Sequence, residues 1–306
     1  MKTTPFITPI SGILFFSGIS IIVACTNQQN GAESNNQEVQ AQQKIIDRVD
    51  VSAKQNVIND SLAQLHSDIS KKYVFLTWDD GPQPPGTGNC RKVFKELGVK
   101  ASFFAVGFNI LNKDRELLMD SIRRDYPALL LVNHGFSHAM NNKYQKFYSP
   151  ASIDTALNDF LHNERLMQIT EKIIRFPGHN TWAVNGMISG QLTKKPLVHR
   201  LDSLGYQVIG WDTEWRGSSK TNAPRESATD MANRVLEQLS SGETRVPGAV
   251  VVLSHDRYFA HEDAVDSLRT FIQLLQADSS IQFETIDHYR DLHRIRRAKG
   301  SINQGN

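Results

Sequence analysis

Cysteine is scarce in this chain, with two in 306 residues, Cys25 and Cys90. They can form at most one bridge, which excludes a disulfide-stapled scaffold and a cysteine-rich metal fold. An excess of charge of one sign is also lacking: 34 Lys and Arg stand against 32 Asp and Glu. Nucleic-acid-binding proteins normally show a basic stripe or a pI above about 9, so no nucleic-acid partner is expected. No apolar run reaches the length of about 20 residues that a membrane span needs. Internal repeats are missing, and nothing marks a protein partner. Low net charge with 40% hydrophobic residues excludes disorder of the whole chain. The length allows one or two domains with a sizeable core.

The N-terminus has its own pattern. Lys2 precedes an apolar run from about Gly12 to Ala24, the length of a signal-peptide core. The run ends Ile22-Val23-Ala24-Cys25, which resembles the lipobox of bacterial lipoproteins. That resemblance implies a signal peptide over 1–24, cleavage before Cys25 and lipidation of its thiol. Cys90 is then a structural thiol. Thr26 to Gln43 is rich in Asn, Gln and Glu and reads as a flexible tether. Apolar residues between Ile45 and Ile69 fall partly at helical spacing, which predicts a helix packed against the domain that follows. Residues 25–70 are therefore anchor, tether and helix, 71–298 the main folded domain, and 299–306 a flexible tail. Threonine after Cys25 resembles outer-membrane sorting in a two-membrane bacterium. The expected location is the cell envelope, on a lipid anchor, with the membrane face left open.

From Tyr73 the chain alternates. Seven short apolar or β-branched runs occur at Tyr73–Trp78, Ala101–Val106, Ala128–Val132, Ile173–Phe176, Tyr206–Trp211, Ala249–Leu253 and Ile281–Ile286. Helical or charged segments separate them, among them Asn112–Arg124, Ser152–Gln168, Glu226–Leu239 and Glu262–Leu275. This alternation predicts parallel βα units. Seven units fit a barrel slightly smaller than the usual eight-stranded one, with an open doubly wound sheet as the competing architecture.

Reactive residues gather after these runs: Asp79 and Asp80, His134 and His138, Arg175, Asp212 and Glu214, and His255. In parallel βα folds the C-terminal strand ends share one face, where active sites sit. His134 and His138 are four apart, so one helical turn would direct both imidazoles to one side. With a carboxylate they make a three-ligand site with an open position, suited to Zn²⁺ or a similar divalent ion. One of the two adjacent carboxylates can bind the ion while the other acts as a base. His255 can supply an acid near neutral pH.

Thr77-Trp78-Asp79-Asp80-Gly81-Pro82 resembles the TFDDGP motif of the polysaccharide deacetylases, the NodB-homology or carbohydrate esterase family 4 proteins. Asn133-His134-Gly135-Phe136-Ser137-His138 resembles their NHTxxH motif, and Leu253-Ser254-His255 their LxH motif. The similarity covers roughly Tyr73 to Arg294. It implies a distorted (β/α)7 barrel. It implies Asp79 as general base, Asp80, His134 and His138 as metal ligands, His255 as general acid and Arg175 as the partner of the base. The implied ion is Zn²⁺, with Co²⁺ or Ni²⁺ as substitutes. The implied reaction is hydrolysis of an N-acetyl group on a sugar, with a bell-shaped pH profile and an oxyanion held in part by a backbone N–H near Gly178.

Two motifs depart from the family. Arg175-Phe176-Pro177-Gly178-His179-Asn180-Thr181-Trp182 stands in place of RPPYG, which moves the aromatic near the substrate to Trp182. Trp211-Asp212-Thr213-Glu214-Trp215 is one residue short of DxxDW. Either Asp212 or Glu214 could orient His255 and raise its pKa, with Asp212 slightly favoured, and Trp215 could wall the acetyl pocket. Asp256 and His261 read as a turn residue and a helix-start residue. A lipid-anchored domain on such a tether reaches a polymer near the membrane, so peptidoglycan or an exported N-acetylglucosamine polymer is the expected partner. An O-acetyl esterase acting on xylan or another acetylated glycan, and a catalytically weak carbohydrate-binding lipoprotein, stay open. A serine hydrolase is excluded, because no G-x-S-x-G elbow occurs.

Overall fold

The computed structural model describes Asp68 and residues 70–303, except 111 and 219. The expected signal peptide, Cys25, the tether and nearly all of Ile45–Ile69 lie outside these residues.

The first strand, β1 (Lys72–Gly81), shows how the sequence sorts its faces. Successive side chains on a strand point to opposite sides. Val74, Leu76 and Trp78 join one apolar cluster with Val93, Phe94 and Phe271, which come from the covering helices. Tyr73 and Phe75 join another with Phe104, Val132 and Val251, which fills the space the sheet encloses. By the same alternation Thr77 and Asp79 continue the inner column. Inner positions on β3 (Leu129–Asn133) are Leu130 and Val132, which leads to His134. On β9 (Ala249–His255) they are Ala249 and Val251, which leads to His255. Three of the reactive residues thus stand at the tops of inner columns.

β1 pairs in parallel with β2 (Ala101–Ala105) on one side and with β9 on the other. The sheet continues in parallel through β3 to β4 (Ile173–Ile174). A hairpin of β5 (Thr181–Val184) and β6 (Met187–Gly190) follows. Next come β7 (Gln207–Val208), which pairs with β4 and β5, and β8 (Thr213–Glu214), which pairs with β9. Residues 207–214 therefore run from one end of the parallel sheet to the other. Ile209 N donates to Ile174 O at 2.9 Å and Asp212 N donates to Val251 O at 2.9 Å, so this one stretch closes the barrel. The last strand, β10 (Ile281–Phe283), formed by the seventh expected run, pairs with residues 72–74. The seven expected runs are all strands, and the barrel is of the distorted (β/α)7 kind. The open doubly wound alternative falls, because β4 and β9 are joined through 207–214.

Outside the sheet, α1 (Gly86–Glu96), α5 (Ala228–Ser241) and α6 (Glu262–Gln276) bury Cys90, Met231, Val235, Leu268 and Ile272 against it. Cys90 is free and buried, as a structural thiol should be. α2 (Lys113–Arg124), α3 (Ile153–Leu166) and α4 (Pro196–Ser203) complete the ring of helices. The last helix, α7 (Tyr289–Asn303), runs on into the stretch expected to be a flexible tail.

Candidate active site

Two neighbouring carboxylates on a flat strand would face opposite ways. Here a bulge brings both to the barrel mouth. Asp79 is in register with Phe104, and Gly81 with Ala105, so Asp80 is the extra residue. Its φ of 72° turns its side chain back toward the mouth. Asn109 Nδ2 donates to the Asp80 carbonyl at 2.7 Å and fixes the bulge. Gly81 follows because a Cβ there would lie 2.4 Å from Asp256 Oδ2.

Arg175 directly follows β4, wholly buried, and supports two other residues at once. Its Nη1 donates to Asp79 Oδ1 at 2.9 Å and to Thr77 Oγ1 at 2.8 Å. Its Nε and Nη2 donate to the carbonyls of Ile209 and Gly210, and its guanidinium lies 4.2 Å over the Phe104 ring. Its carbonyl accepts a hydrogen bond from His134 Nδ1 at 2.9 Å. Burial pushes the Asp79 carboxyl up, against the pull of Arg175.

The loop after β3 is set by side chains from α3. Asp159 accepts from the N–H groups of Phe136 and Ser137, and Asn163 donates to Asn133 Oδ1 and to the Ala105 carbonyl. Residues 138–142 then form a left-handed turn, with φ between 47° and 66°. Each residue with a Cβ loses about 1–2 kcal/mol in that conformation. The bonds Asn141 N to Ser137 O (2.8 Å), Met140 N to Ser137 Oγ (2.8 Å) and Lys143 N to Ala139 O (2.9 Å) hold it. The two imidazoles do meet, at 5.2 Å between ring centres. They do so through a loop and a left-handed turn, where the spacing had suggested an ordinary helical one.

Asp80, His134 and His138 converge, with one donor atom from each within 4.8 Å of the others. His134 Nε2 lies 3.6 Å and His138 Nε2 3.1 Å from Asp80 Oδ1, which is buried without a well-directed hydrogen bond. Each ring's Nδ1 is already taken by an oxygen: His134 by the Arg175 carbonyl, His138 by Asn142 Oδ1 at 2.7 Å. An oxygen acceptor at Nδ1 fixes the proton there and leaves Nε2 bare in the neutral ring, as a metal ligand requires. Burial, with His138 beside it, holds His134 down at about 3, so it is neutral near pH 7. Burial alone would raise Asp80, but His138 and the other two imidazoles carry it well below the carboxylate range. The donor set fits a divalent ion of the zinc type.

His255 stands opposite, its Nε2 3.8 Å from Asp80 Oδ2. Its Nδ1 is buried without a hydrogen-bond partner, and burial lowers its pKa. Neither expected orienting carboxylate reaches it. Asp212 accepts instead from the backbone N–H groups of Arg245 (2.9 Å) and Val251 (2.8 Å), because the stretch that closes the barrel needs an acceptor there. Glu214 lines the same cavity as His255, and its own side-chain contact is with Arg216 at 3.4 Å. The expected rise in the His255 pKa is therefore absent.

That cavity has a volume of about 810 Å³ and is lined by Asp79, Asp80, His134, His138, Gly178 and His255, among others. The two expected substrate-side tryptophans lie outside it. Trp182 is buried beside Tyr289 and Arg245, and Trp215 packs on Phe259 and Phe271 in the helix-facing core. Trp211 lines the cavity instead, pinned through its backbone by both ends of the Asn180 amide. Arg257 was not anticipated. Its Nη1 donates to Asp80 Oδ2 at 2.7 Å, two residues beyond His255 on the same rim. Asp256, taken for a turn residue, is wholly buried, bonded to the Thr87 hydroxyl, and pushed up to about 8 by burial. His261 immediately precedes α6, a helix-start residue as expected, with no side-chain capping bond.

Barrel, strand-end carboxylates and paired imidazoles together define a polysaccharide deacetylase domain of the NodB/CE4 type, and this chain carries one. Residues 66–180 match the polysaccharide deacetylase family model. Peptidoglycan-N-acetylmuramic acid deacetylase PdaC of Bacillus subtilis is 24% identical over 235 residues, which are 76% of this chain and 42% of that protein. Peptidoglycan-N-acetylglucosamine deacetylase of Bacillus cereus is 24% identical over 193 residues, 61% of this chain and 74% of that protein. The match thus spans less than half the length of the first of these relatives. Among solved structures, the peptidoglycan deacetylase PdaC of Bacillus subtilis superposes with a TM-score of 0.51 at 20% identity, covering 78% of this chain and all of that one. A Streptococcus mutans CE4 esterase gives 0.52 at 21%, over 74% and 90%. The structural likeness establishes the fold.

Proposed function

We propose that this protein is a metal-dependent hydrolase that removes N-acetyl groups from an N-acetylglucosamine-containing polysaccharide of the cell envelope, with peptidoglycan as the first candidate. The observation that carries the reading is the division of Asp79. Oδ1 is consumed by Arg175, while Oδ2 faces the ligand cluster 3.6 Å from His134 Nε2. One oxygen is held and the other is left to take a proton.

Asp80, His134 and His138 would hold a divalent ion, with Zn²⁺ the best match to two imidazoles and a carboxylate, and it would supply Lewis acidity toward the acetyl carbonyl. Asp79 accepts at Oδ2 a proton from the attacking water, and Arg175 keeps the carboxylate in place for it. His255 delivers a proton from Nε2 to the departing nitrogen. A C–O bond forms, the amide C–N bond breaks, and acetate and a free amine leave. Gly178, with φ of 71°, lines the cavity where the oxyanion develops. The lipobox-like Ala24–Cys25 supports a lipid anchor, which would hold the domain within reach of envelope polymers. The names of the two relatives support peptidoglycan as the polymer.

The test is acetate release from purified peptidoglycan by the full chain with added Zn²⁺, beside Asp79→Asn. Release that the substitution abolishes supports the reading. Product analysis for free amino sugar then separates N- from O-deacetylation. No release by folded, metal-loaded protein removes peptidoglycan as the substrate.

A further inference from the structure

Among the described residues, Arg257 supplies the only guanidinium or ammonium group that lines the cavity, and the reaction outlined above makes no use of it. Its Nη1 donates to Asp80 Oδ2 at 2.7 Å. The two oxygens of Asp80 are thereby put to different uses. Oδ1 faces the imidazoles, 3.1 Å from His138 Nε2 and 3.6 Å from His134 Nε2. Oδ2 faces the opposite rim, where His255 Nε2 also lies, 3.8 Å away. Arg257 thus occupies the oxygen that His255 could otherwise claim.

Arg257 is itself held from behind. It sits on a single 3-10 turn, Asp256–Phe259, that directly follows β9. Two bonds fasten this turn to α1: the Thr87 hydroxyl donates to the Asp256 carboxylate, and Asn89 Nδ2 donates to the Phe259 carbonyl at 2.9 Å. The approach is close enough that a Cβ at Gly86 would lie 2.0 Å from the Asp256 carbonyl oxygen. At the tip of the arm, Arg257 Nη2 donates to the Tyr258 hydroxyl at 3.1 Å, and the guanidinium lies 4.9 Å over the Tyr258 ring. Tyr258 is buried in the helix-facing core. Gly217 lies against its ring, where a Cβ would come within 2.0 Å. A braced path therefore runs from the core, through Tyr258 and Arg257, to one oxygen of Asp80.

We propose that Arg257 is a positioning residue for the ion site: it takes Asp80 Oδ2 and so keeps Oδ1 turned toward His134 and His138. The backbone of Asp80 is fixed by its bulge, its φ of 72° and the bond from Asn109 to its carbonyl. None of these sets the side-chain torsion. The other charged or chargeable groups of the described residues within 4 Å of the carboxylate are the three imidazoles. Two of those are the candidate ligands, and the third stands on the wrong side. Partners that orient a ligand from outside the coordinating set are commonly worth 10–100-fold in affinity. One effect opposes this, because a guanidinium repels a divalent ion. The Arg257 side chain is 37% exposed, so water screens that repulsion, which also acts across the width of the carboxylate. The charge-assisted hydrogen bond acts at contact, on a carboxylate only 12% exposed. Positioning therefore outweighs repulsion. The proposal rests on the metal-dependent reading above.

The test measures Zn²⁺ affinity of the full chain, stripped with a chelator and titrated against a competing metal indicator. Arg257→Ala is expected to weaken Zn²⁺ binding about 10–100-fold. Arg257→Lys keeps the charge without the planar fork and should fall between it and the wild type. Tyr258→Phe removes the acceptor of Nη2 and should give a smaller loss in the same direction. A merely structural role would lower the Tm of the stripped protein and leave the Zn²⁺ affinity of the folded chain unchanged, and that result overturns the proposal. Tighter binding by Arg257→Ala also overturns it, because the guanidinium would then be a competitor of the ion for Asp80. If Arg257→Ala does not fold, the other two variants decide: a loss in both supports the positioning role, and unchanged affinity in both ends it. A wild-type chain that binds no Zn²⁺ removes the ion site and the proposal with it. Zn²⁺ binding that depends on Arg257, in a chain that releases no acetate, leaves the positioning role standing and ends the catalytic reading.

Discussion

The two sides of the mouth are built to different standards. On the side of the proposed base, Asp79 is fixed by Arg175, whose side chain is itself held by Thr77, Ile209 and Gly210 and whose carbonyl fixes His134. On the side of the proposed acid, His255 has a buried Nδ1 with no partner, and Asp212, one of the two carboxylates expected to orient it, is spent on backbone amides. The difference shows that preorganisation here is concentrated where charges are buried together. Arg175 and Asp79 have no solvent to fall back on, and each of the three guanidinium nitrogens has an acceptor. His255 is partly open to the cavity, and burial lowers its pKa without a compensating partner at Nδ1.

This contrast can be broken by substitution. The largest effect is expected for Arg175→Met. It leaves Asp79 buried and unpaired, at a cost of about 3–5 kcal/mol, and it disorders the base. Urea denaturation should show the loss of stability, and acetate release should vanish with it. His255→Gln should lower kcat by about 10²–10⁴ while the denaturation midpoint barely moves, since Nδ1 makes no bond. Equal destabilisation by both substitutions would end the comparison. Asp212→Ala should cost about 1–3 kcal/mol, because two buried N–H groups lose their acceptor, with little change in kcat. A kcat as low as that of His255→Gln at undiminished stability would make Asp212 the orienting residue after all.

The smallest effect is a control at the far end of the barrel. His288 Nδ1 lies 2.7 Å from Glu284 Oε2, and Lys100 lies 2.9 Å from the same carboxylate oxygen. Burial opposes the His288 charge, but Glu284 wins and raises its pKa above 6.5. A raised histidine stabilises fully below its unfolded value and loses that contribution as pH rises through the folded one. The Tm gap between the wild type and His288→Gln should therefore be widest below pH 6.5 and close above it. A gap that widens with pH would reverse the assignment.

The reactive set was legible in the sequence because it follows strands, and strand ends in parallel βα folds converge. Asp79, His134, Arg175 and His255 needed no more than that. Other features depended on backbone geometry that periodicity does not encode. The bulge at Asp80 and the left-handed turn at 138–142 each place a candidate ligand through positive φ. The β5–β6 hairpin carried a readable signal, Asn185-Gly186 with φ of 52° and 72°, in a segment too short to stand out among βα units. The tryptophans misled for a different reason. Trp182 and Trp215 sit in motifs near the site, but their side chains lie in apolar clusters away from the cavity, whereas Trp211 sits between β7 and β8 and lines it. Asp159, Asn163 and Arg257 act across long sequence separations, and no spacing rule points to them.

One stretch, 207–214, has a consequence for the order of assembly. Two of the four groups that grip the Arg175 side chain, the carbonyls of Ile209 and Gly210, belong to the segment that closes the barrel, and Asp212 fastens that segment to β9. A chain made from its N-terminus has Asp79, Asp80, His134 and His138 in hand long before these residues emerge. The base is set only when the ring shuts. A nascent or half-folded molecule holds a loose arginine and an undirected Asp79 carboxylate, so the arrangement proposed for the reaction is complete only when the last seam is in place.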